Sequence, residues 1–177
     1  IDPVEKNVEH WMLELEEAMR VCLIDVMDRC IQDYTKTPRA RWMQKWPGMC
    51  ILNGSQFHWT TEMEDYFRED GINGPEKMFN AQVAQLADMT ILVRGKLSNS
   101  ARTTVGALTV IDVHARDVTR ALHKQNVGSR SDFMWTKQLR YEWDEKLDDV
   151  VAKQTIACFQ YGYEYLGNGP RLVITPL

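Results

Sequence analysis

At Leu139 the hydrophobic period of the chain changes, and that change limits the folds open to it more than any other feature. Upstream, apolar residues recur every three or four positions almost without a break. Downstream, Leu139, Tyr141 and Trp143 alternate with Arg140 and Glu142. A 3.6-residue period suits a helix buried along one face, and a period of two suits a half-buried strand. The expected fold is therefore mainly α: an antiparallel helical bundle or rod segment over residues 1–138. A small C-terminal β-hairpin and a tail follow over 139–177.

The first stripe, through Val4, Val8, Trp11, Leu15, Cys22, Val26 and Tyr34, predicts one amphipathic helix of about thirty residues. Thr35-Lys36-Thr37 interrupts it, and Pro38, suited to a first helical position, restarts a short helix to Trp46. After Pro47-Gly48, the spacing of Met49, Leu52, Gln56, Trp59, Met63 and Phe67 predicts a helix that runs through Gly54. Asp70 to Pro75 reads as a loop opening another helix, with Phe79, Val83, Leu86, Val93 and Leu97 on its buried face. Ser98, Asn99 and Ser100 are cap candidates for a helix from Ala101 to Leu122 that ends at Asn126-Val127-Gly128. Ser131 or Asp132 is expected to cap a last short helix over 133–137. The acidic turn Asp144 to Asp149 then leads into Val151 to Tyr161 as the second strand of the hairpin. Leu172-Val173-Ile174 reads as a further strand whose partners are expected beyond residue 177, and Ile1-Asp2-Pro3 lacks a start methionine, so the chain is expected to be part of something longer.

A net charge of −4 and a pI near 5.6 give no electrostatic case for nucleic acid or an anionic membrane as partner. No apolar run approaches the roughly 18 residues that a spanning helix needs. Cys22, Cys30, Cys50 and Cys158 form no C-x-x-C pair and read as reduced thiols.

Catalytic chemistry is sparse. Val93-Arg94-Gly95-Lys96-Leu97-Ser98 lacks the preceding glycine of a phosphate-binding loop and sits in a helical stripe. Within Val110 to Val118, Asp112 and Arg116 stand four apart and His114 and Asp117 three apart. They read as local helix pairs rather than as a metal or acid-base site. His10, His58 and His123 are isolated, and no nucleophile, base and orienting group assemble. Six tryptophans read first as anchors where helices cross; the competing reading is a free-standing interaction module with a tryptophan-lined partner groove.

Several stretches carry a resemblance, in order along the chain: Trp42-Met43-Gln44-Lys45-Trp46-Pro47-Gly48, Trp59-Thr60-Thr61-Glu62-Met63-Glu64, Ile111-Asp112-Val113-His114-Ala115-Arg116-Asp117-Val118, Phe133-Met134-Trp135-Thr136-Lys137 and Tyr161-Gly162-Tyr163-Glu164-Tyr165-Leu166-Gly167-Asn168. From Val8 to Leu177 the sequence resembles dynein heavy chains, axonemal ones of the inner-arm kind most of all. Met49 and Cys50 depart from that pattern, as does Glu142 after Tyr141. The resemblance implies the C-terminal part of the helical linker over 1–138, and over 139–177 the hairpin and entry strand of the first AAA+ module, an α/β domain. It implies a mechanical, non-catalytic segment that couples the nucleotide state of that module to arm movement, with ATP/ADP and Mg2+ bound in the first AAA+ module of the parent motor and no cofactor expected for this segment alone. Val173, Ile174, Thr175, Pro176 and Leu177 are then candidate adenine contacts. The implied partners are the chain's own AAA+ ring, the microtubule and other dynein chains, in the cytoskeleton of a ciliary or flagellar axoneme.

Overall fold

The computed structural model describes residues 7–169 and runs helices first, sheet last. The helices are α1 (Val8–Tyr34), α2 (Arg39–Lys45), α3 (Gly48–Asp70), α4 (Gly74–Arg94), α5 (Asn99–Lys124) and α6 (Phe133–Thr136); the strands are β1 (Arg140–Asp144), β2 (Asp149–Gln154) and β3 (Ala157–Gln160). The helical bundle and the terminal β element are as the periodicity predicted. Pro38 and Pro47 sit one position before α2 and α3, where their carbonyls accept the first helical bonds from Trp42 N at 3.0 Å and Ile51 N at 3.0 Å. Ser98 caps α5 by accepting from Ala101 N at 3.2 Å, and Asp132 caps α6 by accepting from Met134 N at 2.7 Å.

Helix α3 passes two hydrophobic cores in succession. Its first half, Met49 to Leu52, meets Met27, Cys30 and Ile31 of α1, Trp42 and Met43 of α2, and Val105 and Leu108 of α5. Its second half, Trp59, Met63 and Phe67, meets Met78 of α4, Ala115, Val118 and Leu122 of α5, and Trp135 of α6. Trp42 and Trp135 are both 0% exposed, one at the centre of each core. Each contributes on the order of 5 kcal/mol of transfer free energy from roughly 200 Å² removed from water. Trp42 and Trp135 thus act as core anchors, whereas Trp11, Trp59 and Trp143 line surface cavities. Gly54 lets the Trp42 ring pack closely on α3: a Cβ there would stand 3.2 Å from it, so a side chain would force the ring to shift.

Three expectations are corrected. The buried face of α4 is Pro75, Met78, Gln82 and Met89, while Val83 and Val93 are exposed. α4 carries two apolar rows, and the one with fewer aliphatic residues faces α3. The hairpin is a three-stranded antiparallel sheet in the order β1-β2-β3, because Val151 to Tyr161 reverses at Thr155-Ile156. No Gly or Asn marks that turn; Thr155 adopts φ 52, and its N–H bonds to Thr136 O at 2.7 Å, so α6 fixes the reversal. Finally, α1 buries residues only near its end, at Met27, Cys30 and Ile31, which lie beside the predicted stripe; of the stripe itself Val8, Leu15 and Cys22 are exposed and Trp11, Val26 and Tyr34 half-buried.

The sharp joint between α3 and α4 depends on Gly74, whose Cβ would lie 2.5 Å from the Tyr66 carbonyl oxygen. Gly74→Ala is expected to cost about 1–3 kcal/mol of stability by overpacking against backbone, read as a lower urea midpoint at unchanged slope.

Candidate functional site

Two buried polar centres tie this architecture together. The first joins the helices. Arg39, at the start of α2, donates to Tyr34 OH of α1 at 2.7 Å, to Ser55 Oγ of α3 at 3.2 Å and to Asp112 Oδ2 of α5 at 2.6 Å. Tyr34 stacks on His58 with ring centroids 4.0 Å apart, and His58 Nε2 donates to Ile31 O at 2.9 Å. A cavity of about 140 Å³ opens beside this cluster, lined in part by Trp59, Glu62 and Gln82. The expected local pair of Asp112 with Arg116 is therefore not formed: burial turns Asp112 inward to a partner 73 residues away, and Arg116 pairs with Asp117 at 2.7 Å instead. Burial holds the His58 imidazole below its ordinary pKa of 6.5.

The second centre seats the sheet and tail on α3. Thr60 Oγ1 accepts from Tyr141 N at 3.2 Å while donating to Gln56 O at 3.0 Å. One turn on, Glu64 accepts from Trp135 Nε1 at 3.2 Å and pairs with Arg140 at 3.5 Å. Across the sheet Glu142 pairs with Lys153 at 2.7 Å. Asp149, 1% exposed, has no ion pair among the described residues; its carboxylate accepts from Val150 N at 2.7 Å, from Gln160 Nε2 at 3.0 Å and from Tyr163 OH. Tyr163 is itself in the first core, with φ 57, and its ring meets that of Tyr161 at 5.1 Å. Burial, reinforced by the Asp149 carboxylate, pushes the Tyr163 hydroxyl well above its ordinary pKa, and burial pushes that of Tyr161 up to about 12. A carboxylate enclosed by three donors is suited to holding backbone in place.

The sequence pointed to the tyrosine-rich tail but not to Asp149, which reads there as one more acidic turn residue; nothing in its spacing marks it as buried. Val173, Ile174, Thr175, Pro176 and Leu177 lie outside the described residues. In Val93 to Ser98, Arg94 ends α4, Gly95 is extended at φ −77 and ψ −176, and the Ser98 hydroxyl is used as the α5 cap. Among the described residues no cluster of three or more His, Cys, Asp or Glu could hold a metal ion, and no helix is long and apolar enough to cross a membrane.

The described residues form a mainly helical segment that ends in a small antiparallel sheet, with Tyr163 of the tail packed into the first core. The chain is 46% identical to dynein axonemal heavy chain 3 of Mus musculus over 96% of its own length, 42% identical to dynein axonemal heavy chain 1 of Homo sapiens over 97%, and 43% identical to dynein axonemal heavy chain 12 of Homo sapiens over 96%. It belongs to the dynein heavy-chain family and spans about 4–5% of the length of these relatives. No family profile matches it.

Two outcomes test these centres. Asp112→Ala, which leaves the Arg39 guanidinium buried and unpaired, is expected to cost about 3–5 kcal/mol, and the apolar pair Arg39→Met with Asp112→Leu should regain most of it. The depressed pKa of His58 favours the folded state while the imidazole is neutral. That stability is complete above pH 6.5 and is lost as pH falls from there toward the folded pKa. Melting curves at pH 7 and pH 5 should therefore converge in His58→Gln relative to the native chain.

Proposed function

We propose that this chain is the C-terminal part of a dynein linker, residues 1–138, together with the sheet and entry strand of the first AAA+ module, residues 139–177. In this reading it is a mechanical segment of an ATP-driven, microtubule-based motor of the ciliary or flagellar axoneme, and it couples the nucleotide state of that module to arm movement. The observation that carries this reading is the continuous path from α3 through Thr60 and Glu64 to β1, and through Asp149 to Tyr163. The axonemal heavy chains aligned along nearly the whole chain support the same assignment.

Close-packed helices transmit displacement because their cores resist compression. A sheet bonded to α3 on one side and continuous with the tail on the other moves with the helices when the tail moves. ATP or ADP with Mg2+ would supply the driving reaction in the parent motor, with Val173 to Leu177 beside the adenine. The ring in cis, the microtubule and neighbouring axonemal dynein chains are the partners this role requires.

Trp143 pairs with Val150 across β1 and β2 and packs against the first core, so its side chain stiffens the sheet that the path crosses. In a complete heavy chain, Trp143→Ala is expected to slow microtubule gliding several-fold while basal ATP turnover stays within about twofold of the native motor. Equal loss of both would overturn the coupling role.

A further inference from the structure

Trp59 and Gln82 each bury a polar atom that the surrounding side chains leave unanswered: the indole Nε1 and the amide Oε1 have no hydrogen-bond partner among the described residues. The two residues are only 9% and 6% exposed. Buried polar atoms are nearly always hydrogen-bonded, so each exception calls for an explanation. Here one explanation serves both, because Trp59 and Gln82 line the same cavity of about 140 Å³ beside the Arg39 cluster.

Packing holds both side chains in place. The Trp59 ring meets that of Trp135 with centroids 5.1 Å apart in the second core, and Gln82 stands on the buried face of α4 between Met78 and Met89. They belong to different helices, α3 and α4, and are not bonded to each other. An indole N–H only donates and an amide oxygen only accepts, so whatever joins them must accept on one side and donate on the other. The rest of the wall is polar as well: Gln56, Glu62, Gln85 and Gln138 line it. Burial raises the pKa of Glu62 while the Arg39 guanidinium draws it down, which leaves a carboxyl group with hydrogen bonds to fill.

We propose that this cavity is a built hydration site, holding a cluster of ordered waters that accepts from Trp59 Nε1, donates to Gln82 Oε1 and solvates Glu62. An apolar cavity of this size stays dry, whereas one that offers water several polar partners fills. At roughly 30 Å³ per molecule the space takes about four waters. Water molecules, each turning its own donors and acceptors independently, suit groups that come from α3, α4 and the residues leading into β1 better than one rigid group does. The cluster bridges α3 to α4 beside Gln138 and Leu139, where the chain enters the sheet, and every group that holds it belongs to this segment.

A density map of a complete heavy chain, at a resolution that shows ordered water, tests this whether or not the segment couples nucleotide state to movement. The native map should show discrete water peaks at hydrogen-bond distance, about 2.7–3.2 Å, from Trp59 Nε1 and from Gln82 Oε1, joined directly or through one further water. In Gln82→Met, which keeps the length of the side chain and removes its acceptor, the peak at that atom should be lost while the one at Trp59 stays. Trp59→Phe should lose its own peak and keep the one at Gln82. A native cavity without peaks, a side chain from elsewhere in the heavy chain filling it, or peaks unchanged by both substitutions overturns the proposal. The native map decides the matter even where a variant fails to fold.

Discussion

Everything in this fold depends on α3 remaining one uninterrupted helix with three different neighbours along its length. Its first turns sit in the core around Trp42, its middle hands Ser55 to the Arg39–Asp112 cluster, and its later turns complete the core around Trp135. Thr60 and Glu64 then present hydrogen-bonding groups to β1 and α6. A glycine in a helix costs up to about 1 kcal/mol relative to alanine, and at Gly54 its missing Cβ leaves room for the close approach of the Trp42 ring. The two cores are thus registered by a single rigid element, and a change in one is felt by the other through α3.

How much of this was legible follows from which signals are local. Helix boundaries at Pro38, Pro47, Ser98 and Asp132 were readable because caps and prolines act on their own backbone. The buried face of α4 was not, because two rows of apolar residues compete there and Gln82 and Met78 face inward only once α3 and α5 are in place. The reversal at Thr155-Ile156 was hidden for the same reason: a carbonyl on α6, not a turn residue, holds it. Asp112 was noticed but paired with the wrong arginine, since its true partner lies 73 residues away and helix spacing offers a nearer one. The candidate adenine contacts, Val173 to Leu177, rest on family resemblance alone and lie outside the described residues.

The two polar centres differ in what they can tolerate. Arg39 and Asp112 are opposite charges in contact, so each offsets the desolvation of the other. Asp149 has no such partner among the described residues and is balanced by three separate donors, from β2, β3 and the segment after β3. Its environment is therefore complete only when all three pieces of chain are seated together. This makes the seating of Tyr163, at the start of the tail, cooperative with the sheet.

The four cysteines divide sharply by position. Cys30 and Cys50 are buried in the first core, where burial raises the Cys30 thiol far above its ordinary range and the Cys50 thiol to about 11, so neither offers thiolate at neutral pH. Cys22 and Cys158 are exposed, one on α1 and the other on β3. The native chain therefore already carries two selectively reactive handles, one on the long helix and one on the sheet. A pair of spectroscopic labels placed on them would report the distance between α1 and the sheet without a substitution in this chain.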